Sequence, residues 1–311
     1  MKRILILLFA LCLLLAGCGS AADTGVEGNA YTFTDDLGRK VTVDDPQRVA
    51  ALLGSFADVW VLAGGNLCAA AEDAWEDFGL DLGEAVNIGG AHSPSLELLL
   101  SAEPELVIAS ASTASHLEMK DTLEAAGIAV AYFDVDHFGD YLHMLDICTN
   151  ITGRNDLYQQ NGLQIQARIE AIKAQFAADN VPQAQRKVLL IRAAASVIKA
   201  KGSTGTILGE MLADMGCINI ADSDKTLLDN LSVEAVIAQQ PYHIFVVTMG
   251  SNSEAAKASL EAMLLENPAW STLEAVQAGR IHYMEKTMFN LKPNAKWAQS
   301  YEKLYETLKG Q

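Results

Sequence analysis

Positive charge is scarce in this chain. Lysine and arginine number 22 against 39 aspartates and glutamates, a formal net charge of −17 over 311 residues. Nucleic-acid binding needs a basic face, so that class of partner is argued against. An anionic membrane surface is disfavoured as the main docking site for the same reason. Cysteine is also scarce: five residues are too few to staple a chain of this length as a disulfide scaffold. After the first 17 residues no apolar stretch is long enough to span a bilayer. There is no G-x-x-x-x-G-K-[ST] phosphate loop, no G-x-S-x-G nucleophile elbow and no H-E-x-x-H zinc motif. What is present is a hydrophobic half with 20% charged residues, which is globular and not disordered composition. The length corresponds to about two domains of ordinary size.

The first twenty residues, MKRILILLFALCLLLAGCGS, stand apart from the rest. Lys2 and Arg3 make a basic start, and Ile4 to Leu15 an apolar run too short for a comfortable transmembrane helix but right for a signal peptide. The run ends in Leu15-Ala16-Gly17-Cys18, the small residues before a cysteine that a lipoprotein signal peptidase needs. Residues 1–17 therefore read as a lipoprotein signal peptide and Cys18 as the acylated N-terminus. Cleavage removes Lys2 and Arg3 and no acid, leaving 20 basic against 39 acidic side chains, or −19. Each buried acyl methylene contributes about 0.8 kcal/mol, so several chains anchor firmly. Residues 18–30, small and polar, read as a flexible tether. Cys68, Cys148 and Cys217 remain; their odd number, wide spacing and apolar neighbours suggest buried free thiols, without the clustering of a metal site.

The most informative feature is a repeat. Ser95-Leu96-Glu97-Leu98-Leu99-Leu100-Ser101-Ala102-Glu103-Pro104-Glu105-Leu106-Val107-Ile108 reads as a short helix, a proline turn and a buried strand. At an offset of 137, Ser232-Val233-Glu234-Ala235-Val236-Ile237-Ala238-Gln239-Gln240-Pro241-Tyr242-His243-Ile244-Phe245 has the same layout without a gap. Ser, Glu and Pro recur in register. Strands are expected at Val49–Leu53 and Val188–Ile191, and the segments Gly127 to Phe133 and Gly279 to Met284 each end a helix at Gly and enter a strand; strands thus alternate with helices, which predicts parallel sheets with helices on their faces. Ser93-Pro94 reads as the cap and first turn of the helix carrying Glu97. Between the halves, Ile165, Ile169, Ile172 and Phe176 lie on one face of a helix. Gly153 breaks the helical stretch before it, and Asn155 is a candidate cap. From Asp156 to about Ala178 that helix is about 35 Å long. Trp297, Tyr301, Leu304 and Leu308 form one face of a last helix. The expected organisation is an N-terminal α/β lobe (31–152), an interlobe helix (153–180), a C-terminal α/β lobe (181–289) and a C-terminal helix (290–311).

These residues resemble the substrate-binding proteins of ABC importers for iron-siderophore, haem and cobalamin, the class III periplasmic binding proteins. Thr34-Asp35-Asp36-Leu37-Gly38-Arg39-Lys40-Val41-Thr42-Val43 is similar to that family's opening hairpin, and Pro46-Gln47-Arg48-Val49-Ala50 to its first strand. Ser95 to Ile108 resembles its "N-L-E-x-I-L-x-L-x-P-D-L-V-I" motif, with Ser95 and Glu105 in place of Asn and Asp. Ser232 to Phe245 resembles the second-lobe counterpart, and Gly279-Arg280-Ile281-His282-Tyr283-Met284 the late "G-R-V-Y-x-V". The resemblance covers the chain from about Tyr31. It implies an α/β fold of two lobes with parallel sheets flanked by helices, joined by a single long rigid helix, with the ligand in the cleft between. It implies an extracytoplasmic, lipid-anchored monomer that closes slightly on its ligand, with an ABC permease, and through it an ATPase subunit, as partners. Location is then the outer face of the cell membrane or the periplasm. Glu97 and Glu234 map onto the acidic residues that dock such proteins on the permease. Independently of the family, carboxylates in the first turn of a helix are favoured by its dipole.

Ligands of open parallel sheets bind beyond the carboxyl ends of the strands. Those ends are 54–56, 72–75, 89–93, 110–113 and 134–138 in the first lobe and 192–195, 248–252 and 285–289 in the second. They offer Ser55, Phe56, Trp75, His92, Ser93, Ser110, Tyr132, Arg192, Met249 and Lys286 as ligand-binding candidates, with Lys199 and Lys201 nearby. Arg192, a cation directly after an apolar strand, suits an anionic ligand; a lone lysine equally suits solvated surface. Gly89-Gly90 admits close approach of backbone to a ligand or a plain tight turn. Trp75 and Phe78 suit stacking on a planar ligand or a loop folded on its own core. His92, with Tyr132 or Met284, is a candidate axial ligand to haem iron or a polar loop residue. His137 and His143 lack a third ligand for a direct metal site. Ser196-Val197-Ile198-Lys199 matches S-x-x-K of serine acyl enzymes, but it reads as a strand and lacks an S-D-N partner. No catalytic residues and no resident cofactor are expected. A ferric siderophore is the first ligand expected, with haem or a corrinoid next.

Overall fold

The computed structural model describes residues 30–250 and 252–310. The expected signal peptide, Cys18 and nearly all of the tether lie outside the described residues. Strands β1 (Ala30–Thr34) and β2 (Lys40–Asp44) form an antiparallel hairpin in which Phe33 pairs with Val41. Their alternation puts Phe33, Val41 and Val43 into the core and the intervening residues toward solvent. At the turn the buried Asp35 carboxylate accepts from the backbone N–H groups of Leu37, Arg39 and Tyr132, and from the Arg39 guanidinium at 2.7 Å. One side chain thus closes the hairpin and fastens it to the first lobe.

The first lobe is a parallel sheet of β3 (Val49–Ala51), β4 (Ala69–Ala70), β5 (Val86–Asn87), β6 (Leu106–Ser110) and β7 (Ala129–Phe133), in the order β5-β4-β3-β6-β7. The second contains β8 (Lys187–Ala193), β9 (Ile198–Lys201), β10 (Ile218–Asn219), β11 (His243–Thr248) and β12 (Ile281–Met284), in the order β10-β8-β11-β12. The short strands β4, β5 and β10 are additions to the sequence reading. β9 departs from the parallel pattern: it pairs antiparallel with β8, Arg192 opposite Lys199. Here the chain turns back at once, the Ala194 N–H donating to Val197 O at 2.8 Å, and β-branched Val197 and Ile198 enter the return strand.

The repeat is real in three dimensions. Ser95 and Ser232 cap the helices Leu96–Ser101 and Val233–Gln239, each hydroxyl accepting from the N–H three residues on at 3.3 Å. Ser93-Pro94 is therefore not the cap. The Ser95 N–H is taken by Ile88 O at 2.7 Å, which holds Ser95 extended and delays the helix to Leu96. Before each conserved-register proline stands a left-handed residue, Glu103 at φ 47° and Gln240 at φ 46°. The strands that follow, β6 and β11, are buried along their whole length.

Gly153, at φ 69°, ends the helix Phe138–Thr152. Arg154, not Asn155, is the cap residue of the next segment, because only Gly153 and Arg154 separate the two helices, and the Arg154 guanidinium is committed to Asp156. Residues 155–178 run on as helix with a π-helical turn at Gln159–Leu163. There the Tyr141 hydroxyl donates to Asn161 O and the Asn161 amide to Leu62 O, and a Cβ on Gly162 would lie 3.0 Å from Leu142. These outside contacts engage the helix carbonyl and side chain at Asn161, at the place where the i→i−4 pattern widens. Ile165, Ile169 and Phe176 are buried, with Ile172 packed beside them. The last helix, Trp297–Leu308, buries Trp297, Tyr301, Leu304 and Leu308 against it. Just before it, Asn294 returns to the first lobe, its amide donating to Ser55 O and Asp58 Oδ2 at 2.8 Å.

Strand parity divides the apolar side chains. One face of each sheet (Ala50, Leu52 and Val107; Leu189, Ile191 and Ile244) packs under its own helices. The other faces (Val49 and Ile108; Val188, Leu190 and Phe245) join the two long helices in one core that runs through both lobes.

Candidate functional site

The carboxyl ends of both sheets open on a cavity of about 540 Å³. From the first lobe it takes Ser55 after β3, Ser110 at the end of β6 and Asp136 after β7, with Asp73, Asp77 and Phe78 from the loop beyond β4. From the second it takes Arg192 of β8, Met249 after β11 and Lys286 after β12. His92 also lines it, exposed.

Of the twelve ligand-binding candidates, the structure brings Ser55, His92, Ser110, Arg192, Met249 and Lys286 together here. The other six do not line the cavity. Phe56 is buried edge-on to Phe133: its neighbour Ser55 faces the cleft, and the helix turn sends Phe56 into the core. Tyr132 points to the outer face of its strand, fully buried, its hydroxyl donating to His116 O. Burial pushes that phenol up to about 12. Trp75 packs on the core and leaves the cavity wall to Phe78. Ser93 is exposed in the turn before the first repeat. Lys199 and Lys201 extend along β9, outside the cavity but on the Arg192 face of the sheet, since directly paired residues share a face. Met284, the other candidate for haem, is buried in the shared core.

Local geometry explains how the cleft residues are held. The Asp73 carboxylate accepts from the Gly54 N–H at 2.9 Å, and a Cβ on Gly54 would meet Ala74 N at 2.5 Å. Only glycine permits that approach, so the strand-to-helix turn after β3 and the loop after β4 are locked together. His116, missed in the sequence, joins two other loops. Its Nδ1 accepts from the Ser110 N–H at 3.1 Å and its Nε2 lies 2.7 Å from Ala91 O, which assigns the Nε2–H tautomer. Burial lowers this imidazole to about 4, so it is neutral. His137 caps the helix Phe138–Thr152, and His143 lies 3.7 Å from Asp36. Among the described residues no group of three His, Cys, Asp or Glu could hold a metal ion.

The two walls differ in charge. Asp73 and Asp136 are both raised by burial, opposed by the Gly54 N–H and by Lys292 respectively. Facing them, Lys286 bonds both Asp77 oxygens at 2.8 Å. Arg192 and Lys292 line the cavity with no hydrogen-bond or ion-pair partner among the described residues. Burial lowers both, and Asp136 opposes the shift in each case. The cavity also receives Gly205, Thr206 and Ile207, the start of the helix Ile207–Asp214, whose dipole favours anions. A Cβ on Gly209 would lie 2.6 Å from Gly202 O, so the loop folds tightly over that helix end. This loop and Lys292 escaped the sequence reading. The signals were Gly202-Ser203-Thr204-Gly205-Thr206 before an apolar helix, and a lysine directly before Pro293.

The S-x-x-K match does not form an acyl-enzyme site. Ser196 lies in the β8–β9 turn and Lys199 in β9, so no helix places the lysine one turn from the serine. Cys68, Cys148 and Cys217 are free, Cys148 buried and the other two half-buried.

The comparisons with known proteins agree with this geometry. YhfQ of Bacillus subtilis, named as an ABC transporter substrate-binding lipoprotein, is 22% identical over 94% of this chain and 93% of its own length. The Fe(3+)-citrate-binding protein YfmC of the same organism is 22% identical over 90% and 87%. Staphylococcus aureus SirA complexed with staphyloferrin B superposes with a TM-score of 0.70 at 20% identity, covering 90% of this chain and 98% of SirA. The family model for periplasmic binding proteins matches residues 49–287, more than half of the sequence, and the chain belongs to that family.

Proposed function

We propose that this chain is the extracytoplasmic, lipid-anchored receptor of an ABC importer and that its cargo is an anionic iron chelate of the ferric-siderophore or ferric-carboxylate kind. The carrying observation is the pair of half-buried cations, Arg192 and Lys292, without a partner among the described residues, on the cavity wall of a protein with net charge −17. Burying a cation without a partner is costly, so such groups are kept where an anion completes them. A charged hydrogen bond from each contributes roughly 1.5–3 kcal/mol. The named ligands of YfmC and SirA support the same chemistry. The leader and the name of the lipoprotein relative support anchoring through Cys18. Glu97 and Glu234 are exposed at matching positions of the two repeats; they dock the monomer on the permease, and ATP is hydrolysed by that partner. The chain itself carries out no catalysis.

The deciding experiment is a tryptophan-fluorescence titration of the protein from Gly19 onward with ferric citrate, ferric hydroxamate, ferric catecholate, haemin and cobalamin. Saturable binding of an anionic chelate supports the reading, and binding of cobalamin alone refutes it. A second reading, haem, is favoured by one observation: His92 is exposed and lines the cavity. With Tyr132 and Met284 buried elsewhere, a Soret shift that H92A abolishes is its test.

A further inference from the structure

The lobes are joined in two different ways. At the back they share a continuous core, with Asn294 bonded to Ser55 and Asp58 and Trp297 packed on Phe138 at 5.8 Å. At the front, among the described residues, one ion pair crosses the cleft: Lys286 of the second lobe on Asp77 of the first, both oxygens at 2.8 Å, both side chains about three-quarters buried at 22% and 27% exposure. Both residues line the cavity. They also line the groove that continues from it past Glu72 and Glu76.

We infer that Asp77 and Lys286 form a latch across the cleft and that an incoming anionic chelate competes with Asp77 for the Lys286 ammonium. Lys286 is not free like Arg192 and Lys292; it comes to an anion only by leaving a carboxylate. The back of the molecule is fixed by packing and cannot open cheaply. The front is fixed, among the described residues, by one ion pair that still keeps about a quarter of each side chain in solvent, of a strength a multiply charged ligand can replace. Asp77 therefore acts as a specificity-determining residue. It holds out ligands too weakly charged to displace it, and its own charge repels any anion that leaves it in place. The competition rests on the anionic-cargo reading; the cross-lobe bond does not.

Two measurements separate them. The first needs no ligand. D77N, K286M and the double variant are unfolded in denaturant at low and high salt, with hydrogen exchange followed over residues 73–79 and 286–290. A latch gives non-additive losses that shrink in high salt, and faster exchange in both segments in each single variant. Additive losses with unchanged exchange overturn it. The second titrates ferric citrate. D77N binds about fivefold more tightly than the wild type, as loss of a partly exposed competing charge requires, and K286M binds more weakly. Unchanged or weakened binding in D77N overturns the competition, since a lysine serving only as a ligand contact does not gain from losing its neighbour. If the wild type binds neither ferric citrate nor any other anionic chelate, the cargo reading and the competition both fall, while coupling in the first measurement still establishes the bond.

Discussion

The first lobe meets the cleft with Ser55, Ser110, Asp73 and Asp136; the second meets it with Arg192 and Lys286, joined by Lys292 from the segment that follows it. Both are built from the same helix–turn–strand unit, with capping serines in register and a left-handed residue before each proline. What differs lies beyond the strand ends. β6 ends in Ser110, whose N–H is held by His116, so this edge offers hydroxyls on a rigid frame. β8 carries Arg192 one residue before its end and folds back as β9, which adds Lys199 and Lys201 to the same face. A repeated scaffold thus carries two different chemistries because loop side chains are free to change while strand parity is not.

Each lobe also buries a neutral histidine, and this gives the largest expected effect. His116 in the first and His243 in the second are both lowered to about 4, chiefly by burial. Their unfolded value is near 6.5, so between pH 6.5 and 4 the unfolded chain binds protons that the folded one refuses. Stability present above 6.5 is lost as pH falls, by roughly 3 kcal/mol at most for each imidazole. Denaturant unfolding of the wild type, H116Q and H243Q across that range checks this: each substitution flattens the slope by about one proton, and equal flattening means both lobes yield to acid together. The next effect sharpens the charge contrast. R192A weakens an anionic chelate about 10- to 100-fold, the loss of one charged hydrogen bond. S110A on the opposite wall costs about fivefold, as expected of a neutral one. Fluorescence titration measures both, and equal losses would erase the distinction between the walls.

The contrast was half legible in the sequence. The repeat, the alternation of strands with helices and the amphipathic faces of both long helices follow from periodicity, because burial acts on every turn of the chain; the order of strands in each sheet does not. The strand-end rule located Ser55, Ser110, Arg192, Met249 and Lys286 for the same reason. It failed where a neighbouring residue inverts the direction of a side chain: Phe56 beside Ser55, Tyr132 on the outer face of β7. It also failed where a tertiary contact decides the role. His116 looks like any helical histidine until Ser110 and Ala91 meet it. Nothing local marks Asp77 as the partner of a lysine 209 positions later.

The smallest effects test whether the two repeats remain equivalent in use as well as in form. S95A and S232A each remove one helix cap, a loss of about 1 kcal/mol, and chemical denaturation is expected to return nearly equal values. A larger loss for S232A would trace to its second bond, the hydroxyl to Glu234 at 3.1 Å, which has no counterpart at Ser95. That bond also bears on docking. Glu234 is partly oriented by Ser232, whereas Glu97 is an exposed carboxylate in the first turn of its helix with no side-chain bond among the described residues. An exposed ion pair is worth at most about 1 kcal/mol, so E97A and E234A should each leave ligand affinity unchanged and lower permease-stimulated ATPase activity by a few-fold. Because an oriented carboxylate loses less side-chain entropy on pairing, E234A is expected to cost more than E97A. The reverse order, measured in reconstituted transporter, would mean that the orientation by Ser232 belongs to the helix cap alone.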